Sequence, residues 1–346
     1  MLERSGLARL LGLDGEIRID FVRSDALAEN PLGDPAERPV VAYLPPSYDP
    51  QGSRRYPALY VLHGYTGDAA ALISTRPWET NVVQWADRLI RERRMPPALV
   101  VLVDGFTRLG GSQYVDSVHN GRYATYTVCD VVNHVDANYR TIAAEGGRAV
   151  LGKSSGGFGA MHLVLEHPGV YSAFASHSGD SYFQYAHLPA FATVQRTLEA
   201  HDFNIAAYVN AFERKNKRST AEYTTMEMLA YAAAYSPRSA RAFDLELPFE
   251  EATGELKPEV FARWLAFDPA ERVGERRAAL ARLRLRYLDC GRSDEYNLDI
   301  GARAVARRIR DLGLDVRHEE FADDHRNIAY RYEVSLPALA GVLDLE

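Results

Sequence analysis

The chain has 346 residues, 47% hydrophobic and 25% charged, with a formal net charge of -7. That is ordinary globular composition with material for a large core, either one big α/β domain carrying an insertion or two small domains. Lys and Arg are scattered and leave no basic footprint for nucleic acid, the two cysteines make no disulfide framework, no Cys/His spacing suggests zinc, and no apolar run is long enough for a membrane span.

The first residues, MLERSGLARLLGLDGE, are charged and unlike a signal peptide, so a cytoplasmic location is the expectation. Glu16 to Arg23 alternates apolar and polar, and Pro39 to Leu44 is a second β-like run. Asn30-Pro31 and Gly33 mark the loop between them, and the two strands are expected to form an antiparallel edge. Ala58 to Leu62 is continuously apolar, as a buried parallel strand should be, and ends in His63-Gly64-Tyr65-Thr66-Gly67. Asn81 to Arg93 predicts a helix with Val82, Trp85 and Leu89 on one face. Ala98 to Val103 is the next buried strand. After the polar loop FTRLGGSQYVDS, a helix is predicted over Tyr123 to Asn138, with Val128, Val131, Val132 and Val135 inward.

The stretch RAVLGKSSGGFGAMHLVLEH, Arg148 to His167, reads as strand, sharp turn, helix, with a serine at the tip. A G-x-S-x-G pentapeptide alone is a weak signal. Between an apolar β-run and an uninterrupted helix it predicts a nucleophile elbow, with Gly152 and Gly156 letting strand and helix approach. Ser154 would then stand exposed at the carboxyl end of a sheet, on a helix N-terminus that favours negative charge.

Pro168-Gly169 stops that helix, and Ser172 to Ser176 is another strand, ending in His177-Ser178-Gly179-Asp180. From Ser181 to Leu280 there is no clean strand, but helical propensity and many aromatics. This predicts a helical cap, 181–280, inserted into a core made of 1–180 and 281–346. Most of the cap aromatics are expected to form its own core, and the rest to line an apolar pocket. The rhythm resumes with a strand at Leu283 to Leu288, a helix over Leu298 to Leu312, a last strand at Val316 to Phe321, and a closing helix from Ile328.

Alternating strands and helices imply a doubly wound, mostly parallel α/β sheet whose carboxyl edge gathers the functional loops. Ser154, Asp294 and His325 each follow a strand within a few residues. In that order they suit a serine nucleophile, an acid that orients and charges the imidazole, and a base. The amides of Tyr65 and Ser155 are the expected oxyanion hole. Rivals stand beside them: Asp180, Asp289 and Asp323 for the acid, and among ten histidines His63, His134, His162, His167 and His177. His63 reads as a brace for the oxyanion loop, and Cys290 as a buried apolar filler. Gln113, in the glycine-rich loop Gly110 to Tyr114, and Trp264, in FARWLAF, are the candidate substrate-binding residues.

RPVVAYLPPSYD, YPALYVLHGYTGD, DANYRT, GKSSGGFGAM, CGRSDEYNL and FADDHRN carry a family resemblance that runs from about Pro39 to the end, the cap excepted. The chain resembles the putative-esterase family of α/β-hydrolases, which includes esterase D (S-formylglutathione hydrolase), enterochelin esterase, the antigen 85 mycolyltransferases and some feruloyl esterases. The resemblance implies Ser154 as nucleophile, Asp294 as acid, His325 as base, and the amides of Tyr65 and Ser155 as oxyanion hole. The long aromatic cap and GGSQYVDS depart from the commoner pattern. The expectation is a cofactor-independent serine carboxylesterase acting on a small-molecule ester with a small or medium acyl (or aryl) group. Thioester hydrolysis and acyl transfer stay open beside it, as does a catalytically silent binding module. Neither metal, nucleic acid nor membrane is expected as a partner, and a homo-oligomer is left open.

Overall fold

A computed structural model describes residues 5–345 of the chain. Among the described residues ten strands occur in order: β1 (Glu16–Arg23), β2 (Glu37–Leu44), β3 (Ala58–Leu62), β4 (Leu99–Val103), β5 (Asp116–Ser117), β6 (Gly121–Arg122), β7 (Arg148–Lys153), β8 (Ala173–His177), β9 (Leu285–Gly291) and β10 (Arg317–Phe321). β5 and β6 form a small hairpin in the stretch that the sequence reads as loop. The other eight make one sheet in the order β1-β2-β4-β3-β7-β8-β9-β10. β1 and β2 are the expected antiparallel edge, β2 runs antiparallel to β4, and every other pairing is parallel.

β3 and β4 are buried along their whole length, because helices cover both faces of the sheet. Successive residues of β3 feed opposite layers. Tyr60 and Leu62 pack with the helix Tyr123–Asn138 region and the elbow helix Ser155–Glu166. Leu59 and Val61 pack with the helix Val82–Arg91 and the C-terminal helix Tyr332–Ala340. The helix Val82–Arg91 starts where the sequence predicts, on a capping box between Asn81 and Gln84.

The insert leaves β8 and returns into its hydrogen-bonded neighbour β9. Its core is a third apolar cluster in which Phe183, Phe191, Tyr208, Phe261 and Trp264 pack with Met226, Tyr231 and Tyr235 of the helix Thr220–Tyr235, joined by Phe158 from the elbow helix. Asp268 ties the two ends of this unit together. It accepts from the amides of Tyr182 (2.8 Å), Phe183 (2.7 Å) and Ala270 (2.9 Å). The short helices Pro269–Arg272 and Arg277–Arg282 then bury Ala270, Val273 and Leu280 in the layer beside the sheet. They are the crossover that a parallel β8–β9 pair requires. The expected insert 181–280 thus divides into a cap and a crossover.

Candidate active site

Ser154 sits between β7 and the elbow helix with φ 58° and ψ -125°, a strained backbone for a residue with a side chain. The elbow can be this tight because its flanks lack side chains. A Cβ on Gly156 would lie 2.2 Å from the Leu62 carbonyl oxygen, and one on Gly152 2.4 Å from the Gly156 carbonyl carbon. The Ser154 amide donates to the His177 carbonyl of β8 at 2.9 Å, which pins the turn to the neighbouring strand.

His325 comes from the loop after β10 and Asp294 from the loop after β9. Nε2 of His325 lies 3.0 Å from Ser154 Oγ, and Nδ1 lies 2.8 Å from Asp294 Oδ2. The carboxylate is buried. Its Oδ1 accepts from the amides of Tyr296 (3.0 Å) and Leu298 (3.4 Å), and its Oδ2 also accepts from the Cys290 thiol at 3.4 Å. Burial works against its charge, but His325, the Tyr296 amide and Cys290 together hold it below the usual carboxylate range. The His325 amide donates to Glu295 Oε2 at 3.0 Å, and the Tyr296 ring stands edge-on to the imidazole at 4.8 Å. The ring is therefore held from three sides.

The loop after β3 closes over the elbow. A Cβ on Gly64 would lie 3.4 Å from Ser154 Cβ, so Tyr65 is beside Ser154. His63 braces this loop as expected. The Gly105 amide donates to its Nε2 at 2.8 Å, so Nδ1 carries the proton and donates to the Gly64 carbonyl at 2.8 Å. Burial pushes its pKa down and keeps the ring neutral. The Tyr65 hydroxyl is spent on the Leu109 carbonyl at 2.9 Å, which leaves the backbone as the part of Tyr65 able to serve an oxyanion. Ser155 opens the elbow helix, where an amide has no intrahelical acceptor.

The rival acids are placed elsewhere. Asp289 accepts from His177 Nδ1 at 2.7 Å and from Arg331 Nε at 2.8 Å, tying β8, β9 and the C-terminal segment together beneath the site. Asp180 is buried and accepts from Gln113 Nε2 (3.1 Å), Tyr231 Oη (3.0 Å) and Ser155 Oγ (3.4 Å). Asp323 accepts from Tyr330 Oη at 3.1 Å. Among the other histidines, His134 meets Asp20 at 2.9 Å, and His162 is half-buried in the elbow helix, stacked on Phe158. Cys290 is buried and its thiol is pushed up by burial and by Asp294, so it is inert as a nucleophile, yet it touches the acid.

Ser154 and His325 open into a cleft of about 500 Å³ under the cap. It is walled by Tyr65, Ala186, His187, Tyr223, Glu227, Met228, Tyr231 and Tyr296. Two expectations are corrected here. Trp264 is fully buried, donates from Nε1 to Ser236 Oγ at 2.8 Å, and does not line the cleft. It packs behind the wall, against His187 and Tyr231, because an indole with its N–H satisfied belongs in the cap's core. Gln113 does not line the cleft either. It is buried at φ 56° and spends its amide on Asp180. Glu227 and Tyr231 do line the cleft, and the sequence reading missed both. An acid followed four residues later by a tyrosine in the apolar second half of the helix was the available signal.

The profile of the family described as Putative esterase matches residues 35–310. Esterase Rv1288 of Mycobacterium tuberculosis is 32% identical over 141 residues, 40% of this chain, and the match spans 28% of that protein's length. Among solved structures, an S-formylglutathione hydrolase from Agrobacterium tumefaciens superposes with a TM-score of 0.58 at 15% identity, covering 96% of this chain and 97% of its own. A ferulic acid esterase gives 0.57 at 18% identity, covering 95% and 98%. At these identities the likeness speaks for the fold, an α/β-hydrolase. With its elbow, its strand order and a profile that spans most of its length, the chain belongs to the putative-esterase family.

Proposed function

We propose that the protein is a serine carboxylesterase with Ser154 as nucleophile, His325 as base and Asp294 as the acid that orients it. The observation that carries this reading is one imidazole between two partners, 3.0 Å from the serine oxygen and 2.8 Å from a buried carboxylate, at the floor of a cleft. In the acylation step His325 Nε2 takes the Ser154 proton as Oγ attacks the ester carbonyl, and the imidazolium formed is stabilised by Asp294. The amides of Tyr65 and Ser155 receive the oxyanion, and the positive end of the elbow helix adds to them. His325 then protonates the departing alcohol. Water, activated by the same imidazole, releases the acid. Serine, histidine and aspartate suffice for this chemistry without a cofactor.

The cleft suits an ester with a small or medium acyl or aryl part, since about 500 Å³ accommodates a small-molecule ligand. The same acyl-enzyme serves thioester hydrolysis, and acyl transfer if an alcohol replaces water. A fluorophosphonate probe should label Ser154, and p-nitrophenyl esters of graded acyl length should be turned over by the labelled residue alone. An unlabelled Ser154 in folded protein would leave a binding module as the better reading.

A further inference from the structure

Within the cleft one phenol faces two carboxyl groups. The Tyr231 hydroxyl lies 3.0 Å from Asp180 Oδ2 and 3.0 Å from Glu227 Oε1. A phenol has a single hydrogen to donate. Two ionised carboxylates at that spacing would leave one of them facing the phenol's lone pairs. The trio therefore holds one further proton, shared as a coupled pair shares it. Burial raises the Asp180 carboxyl too, but Asp180 has Gln113 and Ser155 as additional donors, which favour its anion against that burial. Glu227 has Tyr231. The hydrogens therefore run from Glu227 to Tyr231 to Asp180, and Glu227 is the neutral member. Burial and the charge of Asp180 push Glu227 up to about 8, which agrees with this order.

Glu227 lies on the cap helix Thr220–Tyr235 and, unlike Asp180, is only half-buried. With Oε1 committed to Tyr231, its other oxygen is a carbonyl-like acceptor available to whatever fills the cleft. The cations lining the same cleft are Lys153, Arg218 and Arg326, and among the described residues none is ion-paired with Glu227 or Asp180. Arg218 is turned to the Phe212 and Glu213 carbonyls, and Arg326 to Glu295. The two histidines of the cleft are His325 and His187, the latter lowered by burial to about 3 and so neutral. Burial keeps Tyr65 and Tyr296 neutral as well.

We propose that Glu227 is a specificity-determining residue of the ester cleft, acting as a neutral carboxylic acid that accepts a hydrogen bond from a hydroxyl group on the part of the substrate under the cap and disfavours an anionic group there. The proposal rests on the reading of Ser154 as the nucleophile. Ionisation of Glu227 places a second negative charge beside Asp180, near the forming oxyanion, so activity on neutral esters should fall as pH rises through about 8.

The test uses two matched series on the full chain. In one, p-nitrophenyl esters carry hexanoyl, 6-hydroxyhexanoyl or adipoyl groups. In the other, acetate is esterified to hexanol, 1,6-hexanediol or 6-hydroxyhexanoate. The wild-type protein should favour the hydroxyl over the carboxylate terminus by kcat/KM in at least one series. Glu227→Leu should erase the preference for hydroxyl over methyl in kcat/KM. Glu227→Gln keeps a donor for Tyr231 and cannot ionise. It should abolish a decline on the order of tenfold in kcat/KM above pH 8, the effect of one unit charge in a partly screened site. A decline that persists in Glu227→Gln, a preference for carboxylate termini, or indifference to all termini in both series would overturn the proposal. Fluorophosphonate labelling of Ser154 in each variant separates the two readings. A labelled, active protein that ignores Glu227 sinks this inference alone, and an unlabelled wild type sinks the esterase reading.

Discussion

On the proposed reading, two adjacent serines, Ser154 and Ser155, divide the work of the elbow between a side chain and an amide. Only Ser154 Oγ meets His325, at 3.0 Å, whereas Ser155 Oγ turns to Asp180 at 3.4 Å. Ser154→Ala is expected to lower kcat on the order of 10⁴-fold or more with the fold intact, and Ser155→Ala to keep most activity because its amide remains. Steady-state kinetics and circular dichroism on the pair decide this; a dead Ser155→Ala beside an active Ser154→Ala would put the register one residue off. The aspartates separate in the same way. Asp294→Asn should cost on the order of 10⁴-fold in kcat, since an amide favours the wrong tautomer and cannot stabilise the imidazolium. Asp180→Asn should cost less, because Asp180 has no contact with the imidazole nitrogens. Equal losses in the two variants would contradict that assignment.

At the scale of elements, the elbow helix is held at both ends. At its start, Gly152 and Gly156 allow β7, the helix and the β3 loop to meet. Gly156→Ala would place a methyl group 2.2 Å from a backbone oxygen, and soluble folded protein should be lost; recovery of wild-type yield and activity would show that the backbone can give way. At its end stands Glu166, an acid where the helix dipole disfavours one. Arg272 and Arg276 of the crossover compensate, each within 2.8 Å. Burial opposes the charge of Glu166, but the two guanidinium groups hold its pKa down at about 2. A depressed carboxyl pKa contributes stability that is complete above the ordinary value of about 4.5 and disappears as pH falls toward 2. Glu166→Gln should therefore destabilise the protein at pH 7 by about 1 kcal/mol, the ceiling for a partly exposed pair. The gap between variant and wild type in urea unfolding should close between pH 5 and pH 2. A gap independent of pH would mean that the clamp acts through shape and not through charge.

For the whole molecule, the proposed reading puts substrate choice in how the cap sits on the sheet. Aromatic density predicts a cap but does not say which aromatics face the ligand. Trp264 lies inside, and its removal leaves a cavity and strands the Ser236 hydroxyl as an acceptor. Trp264→Ala is expected to cost about 3–5 kcal/mol in unfolding free energy, while leaving the rank order of acyl lengths as it was. If the variant is as stable as wild type but its acyl-length profile is flat, the tryptophan is a pocket wall after all.

Strand positions, the elbow and the Ser154, Asp294, His325 order were legible in the sequence because each is a local matter. A strand buried on both faces must read as a continuous apolar run, as Ala58 to Leu62 does. An elbow needs glycines at fixed offsets, and a loop after a parallel strand falls at the carboxyl edge of the sheet. Asp294 and Asp180 could not be separated that way, because each follows a core strand by a few residues. The choice depends on which carboxylate the loop after β10 reaches, and that reach is set by the pairing of β9 with β10. Gln113 and Trp264 were misplaced for the same reason, since side-chain direction in a loop or an all-apolar insert carries no periodic signal. Glu227, Tyr231 and Asp180 lie up to 51 residues apart in the chain. Only the docking of the cap helix onto the sheet edge brings one hydroxyl within reach of two carboxyl groups, and so creates a proton that no single residue type could announce.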